Sequence, residues 1–550
     1  MQIEELVSRY PQIAAQLNRR DWLKVAAAGS IAVAGGLSSG LGRQVSAQDA
    51  TAAAAPTGTW TLSLAGNPTA YPITAPGGIN DVLVNKVLYN NLVQYRLVEG
   101  AIEIHGDLAE SWESNADLTQ YTFKLFPGIT WHDGTPFTSA DVVFTIESML
   151  LPDVNASNKG NISRVASVEA PDDLTVIFNL NAAYADLPIM LGYNLGIVPK
   201  HLLEGQDLNE PTTFLQAPVG TGPFKFKQLS AGNFLEVEAN TAYFGGSPLL
   251  EKIIFKIIPD GNSRVAQVQS GEIDLTIVEP PQVDSLSGSS NLAVREVPQV
   301  QYYFFGVNHT SPVMADLKVR QALASVLDKE AIVEQVLKGY GAVCTGPINP
   351  LLAEYYTPDV NTYAYDPDAA KALLDEAGWT EDGDKRVNAA GETLTIVVNG
   401  PQGYPVLEQI LIYAQQEFQN IGVTVDLQID EWSVHLEKYR SQGYDLLLNW
   451  WITPPTPDLY NHYHSASPSN WWKYANPAVD ELIVSGQTEA DQVARVDIYK
   501  QLQTMLADDA PVLFLYYGRE LQALSNRTQG FVEMGYRDSL SWSEEISVTE

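Results

Sequence analysis

Polar and apolar positions along this chain follow two periods. Tyr121, Phe123 and Leu125 alternate with Thr122 and Lys124, which predicts a strand with one apolar face. The same alternation recurs at 174–180 and 252–258, and residues 60–64, 394–398 and 423–429 are also strand-like. Residues 301–308 read as an aromatic-rich extended segment, and 444–451 and 511–517 as nearly all-apolar, buried strands. Helical spacing appears at 80–93 through Val84, Val87 and Leu88, and at 139–150 through Val142, Val143, Ile146, Met149 and Leu150. Further helices are predicted at 265–269, 317–327, 329–338, 407–420 and 489–507, with Asp328 capping and Gly339 stopping the one at 329–338. Asp366-Pro367 opens another that Gly378 closes. Helices and strands in succession predict an α/β fold, and no fixed-period repeat suggests a solenoid or propeller.

The stretch 121–150 is the most internally consistent. Its strand is followed by a Pro127-Gly128 turn, a second short strand at 129–132, and an Asp133-Gly134 turn. Thr138 then caps the helix, with Asp141 three positions later supporting its start by charge.

Composition narrows the class. The 550 residues hold 45% hydrophobic and 18% charged side chains, enough for two or three cored domains. A formal net charge of −34 argues against nucleic acid or an anionic membrane as partner, since both require basic patches. With Cys344 the single cysteine, no intrachain disulfide or cysteine-based zinc site can form. Neither a nucleophile elbow, an HExxH nor a Walker motif is present, so no enzyme activity is expected and no cofactor is called for. Gly220-Thr221-Gly222-Pro223-Phe224 lacks the lysine and following helix of a P-loop and reads as a turn between strands.

The N-terminus reads as an export signal. Asn18-Arg19-Arg20-Asp21-Trp22-Leu23-Lys24 resembles a twin-arginine motif, and the apolar run 25–37 is short for a membrane span. Val45-Ser46-Ala47 places small residues where a peptidase would cut, so cleavage is expected after Ala47; the alternative is an anchor that is never removed. No cysteine stands there to make a lipoprotein. Residues 48–59 read as a flexible linker.

Three motifs carry a family resemblance. LAESWE (108–113), YTFKLFPGITWHDGTPFTSADVVF (121–144) and VGTGPFKF (219–226) together resemble the family 5 extracellular solute-binding proteins, receptors of ABC importers for peptides, nickel, opines and some oligosaccharides. The turn at Pro199 and His201 and the Gly271-Glu272-Ile273-Asp274 segment fit the same resemblance. It implies a large two-lobed periplasmic-binding-protein fold, an accessory subdomain in the first lobe and a ligand cleft between the lobes. The implied divisions are 60–88 and 215–305 for the first lobe, 89–214 for the accessory part, 306–515 for the second lobe and 516–550 for a return to the first. It also implies a periplasmic or extracytoplasmic monomer that hands a short peptide or other small molecule to a membrane permease. An oligosaccharide or neutral-solute receptor, a secreted enzyme and a sensor are the alternatives.

The candidate ligand segment is NWWITPPTPDLY (449–460). Peptide receptors of the family often read G-W-x-x-D-x-x-D-P here, the first Asp pairing with the peptide amine. By this resemblance Trp450 matches the Trp, Thr453 stands in place of the amine-binding Asp, Pro457 matches the Pro, and Asp458 follows. A threonine accepts a hydrogen bond but does not neutralise an ammonium. Trp451 adds a second ring, although on a strand only one of the two can face the cleft. Tyr302 and Tyr71 complete the implied ligand contacts. Trp471, Trp472 and Tyr474 support the saccharide alternative, because flat rings stack on sugars. His462 and His464 could pair on a metal, but no third ligand stands beside them and no metal is expected.

Overall fold

The computed structural model describes residues 55–75, 78–98, 101–533, 535 and 539–549. Arg19, Arg20, the cleavage position after Ala47 and most of the 48–59 linker lie outside them. The chain divides into the units Met1–Leu41 and Gly42–Glu550, and all the described residues belong to the second.

Strand β1 (Thr59–Leu64) buries Trp60, Leu62 and Leu64 on one face, as alternation requires. The helix Ile79–Leu88 comes next, then a hairpin of β2 (Val93–Val98) and β3 (Ala101–Gly106). β4 (Ala109–Ser114), β5 (Gln120–Leu125), β6 (Val165–Asp172) and β7 (Thr175–Leu180) make a separate antiparallel sheet in the order β4-β5-β7-β6. Beyond them lie β8 (Phe224–Ser230), β9 (Phe234–Ala239), β10 (Lys252–Ile257) and β11 (Leu275–Val278). β12 (Leu292–Pro298) leads directly into β13 (Gln301–Val307). The later strands are β14 (Gly341–Val343), the hairpin β15 (Thr380–Asp382) and β16 (Lys385–Val387), then β17 (Thr395–Pro401), β18 (Thr424–Asp430), β19 (Leu446–Ile452) and β20 (Val512–Ser525). The main sheet runs β18-β17-β19-β13-β20-β11-β1-β10-β9-β8, with β12 and β14 also on β20.

This one sheet serves two lobes. The first core gathers Trp60, Leu62, Phe123, Trp131, Phe178 and Phe255. The second gathers Phe305, Leu323, Ile396, Leu411, Leu448 and Leu515, with Tyr302, Phe304, Leu447 and Trp472 packed separately. The C-terminal segment is fastened to β1: Trp60 Nε1 donates to Thr528 Oγ1 at 3.0 Å. Arg527 grips both oxygens of Asp274 at 2.6 and 2.7 Å, and Asp274 also accepts from Thr61 N. A buried carboxylate held this way is satisfied on both oxygens.

The motifs that identify the sequence converge on one structural node. Gly220 N donates to His132 Nδ1 at 3.1 Å and His132 Nε2 meets Gly222 O at 3.0 Å, which fixes the Nε2–H tautomer. Desolvation pushes that imidazole down to about 4, so it is neutral. Asp133 meets His201 at 2.8 Å, and Asp141 accepts from Thr138 N, Lys200 N and Trp131 Nε1. The helix starts after Thr138 as expected, and Asp141 adds a hydrogen bond to its charge, so that the pair makes a capping box; Gly128 and Gly134 take φ of +78° and +90°.

Four local expectations change. Residues 129–132 are not a strand; a single bridge, Thr130 to Pro136, is all that forms, because the Asp133-Gly134 turn folds back at once and Pro136 has no N–H to extend the ladder. The first helix stops at Leu88, where Asp107 takes over Asn90 and the Asn91 backbone. The helix predicted at 329–338 is α-helical only over Lys329–Ala331 and continues as a π-helix over Ile332–Val336. The strand predicted at 511–517 is the 14-residue β20, twice that length.

Candidate ligand cleft

Two segments join the lobes. β20 pairs through Val512, Leu513, Phe514 and Tyr516 with β13 and then, from Arg519 to Ser525, with β12. β12 and β13 are separated only by Gln299 and Val300. At this level Glu520 is buried and accepts from Gln299 Nε2 at 2.5 Å and from Gln522 Nε2. Desolvation pushes its carboxyl up to about 8. Asn349 Nδ2 donates to the carbonyls of Gln299 and Gln301, tying the second lobe to the same crossing.

β19 carries the candidate segment beside that crossing, since Gln301 pairs with Ile452 and Tyr303 with Trp450. Trp450 and Trp451 project to opposite faces and both are half-buried. Trp450 stacks on Tyr303 at 5.9 Å and meets Tyr404 and Trp432 at 5.4 and 5.6 Å. Trp451 lies 4.1 Å from the His462 ring and 6.2 Å from Trp471. Thr453 is strapped to the crossing, its N–H donating to Val300 O at 2.9 Å.

Two residues expected at the ligand lie in the core. Tyr302 is 1% exposed and its hydroxyl shares a 3.2 Å hydrogen bond with Tyr463; Tyr71 is fully buried edge-on against Phe214. Inward-pointing positions of aromatic strands serve packing as readily as recognition, and nothing local in the sequence separates the two. His462 and His464 also have other engagements. The first lies tilted against Trp451 and is pushed down to about 4 by burial; the second accepts from Ala466 N.

Asp458 does not stand open to a ligand. Tyr184 Oη donates to it at 3.1 Å and Gln487 Nε2 lies 2.9 Å from both of its oxygens. It belongs to a latch between residues 164–186 and residues 458–495. Arg495 Nη2 meets Asp186 Oδ2 at 2.5 Å with both side chains buried, Ala185 N donates to Gln487 O at 3.0 Å, and Arg164 donates to Gln487 Oε1. Tyr355 Oη accepts from Arg495 Nη1 at 2.9 Å. Burial raises the Asp458 carboxyl, and the neighbouring Asp186 charge raises it further. The two sides of the latch are 274 to 323 positions apart in the chain, so no spacing in the sequence announces them.

Comparison with known proteins gives this arrangement of cores, crossings and latch a family. The model of the bacterial extracellular solute-binding proteins, family 5, matches residues 103–473. The chain belongs to this family. The oligopeptide-binding protein AppA of Bacillus subtilis is 31% identical over 465 residues, covering 83% of this chain and 85% of the relative. The dipeptide-binding protein of Escherichia coli is 27% identical over 475 residues, 81% of this chain and 86% of its own. The solved structure of the Bacillus AppA in complex with a nonapeptide superposes with a TM-score of 0.78 at 29% identity, covering 90% of this chain and all of that one. The fold expected from the motifs, a two-lobed solute-binding protein of mixed α/β build, is thus the fold found.

Proposed function

We propose that this family 5 protein captures short peptides between its lobes and delivers them to the permease of an ABC importer. The observation that carries this reading is the likeness, over nearly the whole chain, to a receptor solved with a peptide in place. An extended peptide can be held through its backbone, which needs no single charged side chain and tolerates Thr453. Trp450 and Thr453 are the proposed lining on the second lobe, with Trp451 packed on the opposite face of β19 behind them. Asp458 acts through the latch, and Tyr302 and Tyr71 support the walls from behind. The lobe divisions at 305 and 515 form part of this proposal, supported by the separate cores on either side. So do export by the twin-arginine route with cleavage after Ala47, the extracytoplasmic location, the monomeric state, the lack of a lipid anchor and the absence of enzymatic turnover.

Ligand contacts with both lobes bias a hinge equilibrium toward the closed state. The test is a melting-temperature screen of the mature protein with di- to nonapeptides and with oligosaccharides. Peptides alone are expected to raise it; a rise with sugars alone would overturn the proposal, and turnover of the stabilising compound would overturn the pure receptor.

A further inference from the structure

The two sides of the latch belong to different cores. Tyr184 and Leu187 pack in the first, whereas Leu459, Tyr463, Ile483 and Tyr499 pack with Tyr302 and Trp472. The bonds that join the sides are polar: Asp186 to Arg495, Asp458 to Tyr184, Arg164 to Gln487, and Ala185 N to Gln487 O. Asp186 and Asp458 are matched in charge by Arg164 and Arg495. A polar contact between separately cored bodies has the make-up of a reversible interface, not of a shared core.

Each side holds its half of the contact ready for the other. Arg495 Nε donates to Gly486 O and Nη1 to Tyr355 Oη, both at 2.9 Å, which leaves Nη2 for Asp186 Oδ2. Asp186 Oδ1 is buried with no hydrogen-bond partner among the described residues, so this carboxylate depends on Arg495. Arg164 is held on its own side by Ala183 O at 3.0 Å, and its guanidinium lies 4.8 Å from the Tyr184 ring and 5.9 Å from the Tyr460 ring, one ring from each side. The attraction within a buried ion pair roughly offsets the hydration that both charges give up, so such a contact forms and parts at small net cost while both partners are present. The candidate segment runs from the crossing to this latch: Thr453 N is bonded to Val300 O, and shortly after it Asp458 meets Tyr184 and Gln487.

We propose that this latch is the closing contact of the ligand cleft: it forms when the cleft shuts, parts to admit a ligand, and through Asp458 carries the candidate segment with it. In the parted state water takes the place of each partner, Asp186 Oδ1 included. The crossing strands then act as the joint on one side of the segment and the latch as the clasp on the other, and ligand contacts bias the balance between the two states. The proposal rests on the peptide-capture reading for the ligand, but not for the movement.

The experiment is a disulfide staple across the latch. Ala185 N donates to Gln487 O at 3.0 Å, which brings the two residues within reach of a disulfide, whose Cα atoms stand about 4.4–6.8 Å apart. The mature Ala185→Cys/Gln487→Cys protein is stripped of ligand under reducing conditions and then oxidised; the native Cys344 is buried. Small-angle X-ray scattering gives the radius of gyration of the ligand-free oxidised and reduced forms, and stopped-flow tryptophan fluorescence follows uptake of tetra-alanine by both and by the wild type. The oxidised form is expected to have the smaller radius and to take up tetra-alanine about tenfold or more slowly, with recovery on reduction. Equal radii together with equal uptake would overturn the latch as the closing contact and leave peptide capture standing. Failure of the two cysteines to oxidise would overturn it as well, since the two segments would then not meet in solution. Radii that differ while neither the wild type nor the reduced variant binds tetra-alanine would support the latch and count against peptide capture.

Discussion

Glu520 provides a sharp test of the crossing. It is 7% exposed and accepts from Gln299 and Gln522, and among the described residues no cation offsets its burial. Its carboxyl is pushed from the ordinary 4.5 up to about 8. The folded protein therefore keeps a proton that the unfolded chain has already released. Between these two values stability falls as pH rises; above the folded value the full cost of a buried carboxylate is present, and below the unfolded value none of it is. At about 1.4 kcal/mol per unit the whole span amounts to about 3–5 kcal/mol. Glu520→Gln removes the ionisation but has one acceptor oxygen in place of two, so it costs about 1 kcal/mol in a lost hydrogen bond at every pH. The variant should be slightly less stable than wild type at pH ~4.5 and more stable by about 2–4 kcal/mol at pH ~8.5. Urea unfolding of both proteins at half-unit steps reads this directly, and the difference between them cancels every other titrating group. Parallel curves across the range would refute the reasoning, since they would mean that Glu520 ionises freely in the folded state.

Three further outcomes are expected from the same geometry. Arg495→Met leaves Asp186 buried without its cation, so it should cost about 3–5 kcal/mol in urea unfolding, with Asp186→Asn/Arg495→Met recovering part of the loss. A Cβ on Gly220 would lie 1.8 Å from Leu88 O, and Gly220→Ala should cost about 3 kcal/mol or more in urea unfolding. Gly271 closes its helix at φ +78°, so Gly271→Ala should cost about 1 kcal/mol by the same measurement.

How much of the fold is legible in the sequence depends on the range of the interaction. The Thr138/Asp141 cap, the Asp366-Pro367 helix start and the glycine stops at 339 and 378 are settled within a few residues, and each is legible. The helices Trp432–Ser441 and Pro477–Thr488 escape a reading by pattern; the first mixes Trp432, Val434 and His435 with charges and carries only a weak apolar stripe. β20 reads as half its length because Arg519, Glu520 and Gln522 interrupt its apolar run, and only the pairing with β11 and β12 extends it. The site obeys the same rule. Trp450 and Thr453 stand in a local motif, whereas Asp458 and Arg495 meet partners from distant segments. The motifs at 121–144 and 219–226 identify the family because they lock one another through His132, not because they touch a ligand.

Closure of this cleft around a peptide is tested most directly by native mass spectrometry of the protein purified without unfolding from its own host. The expected spectrum shows the mature chain with added masses that fragment as short peptides and disappear after denaturation. Added masses that fragment as sugars or as a metal complex would contradict peptide capture.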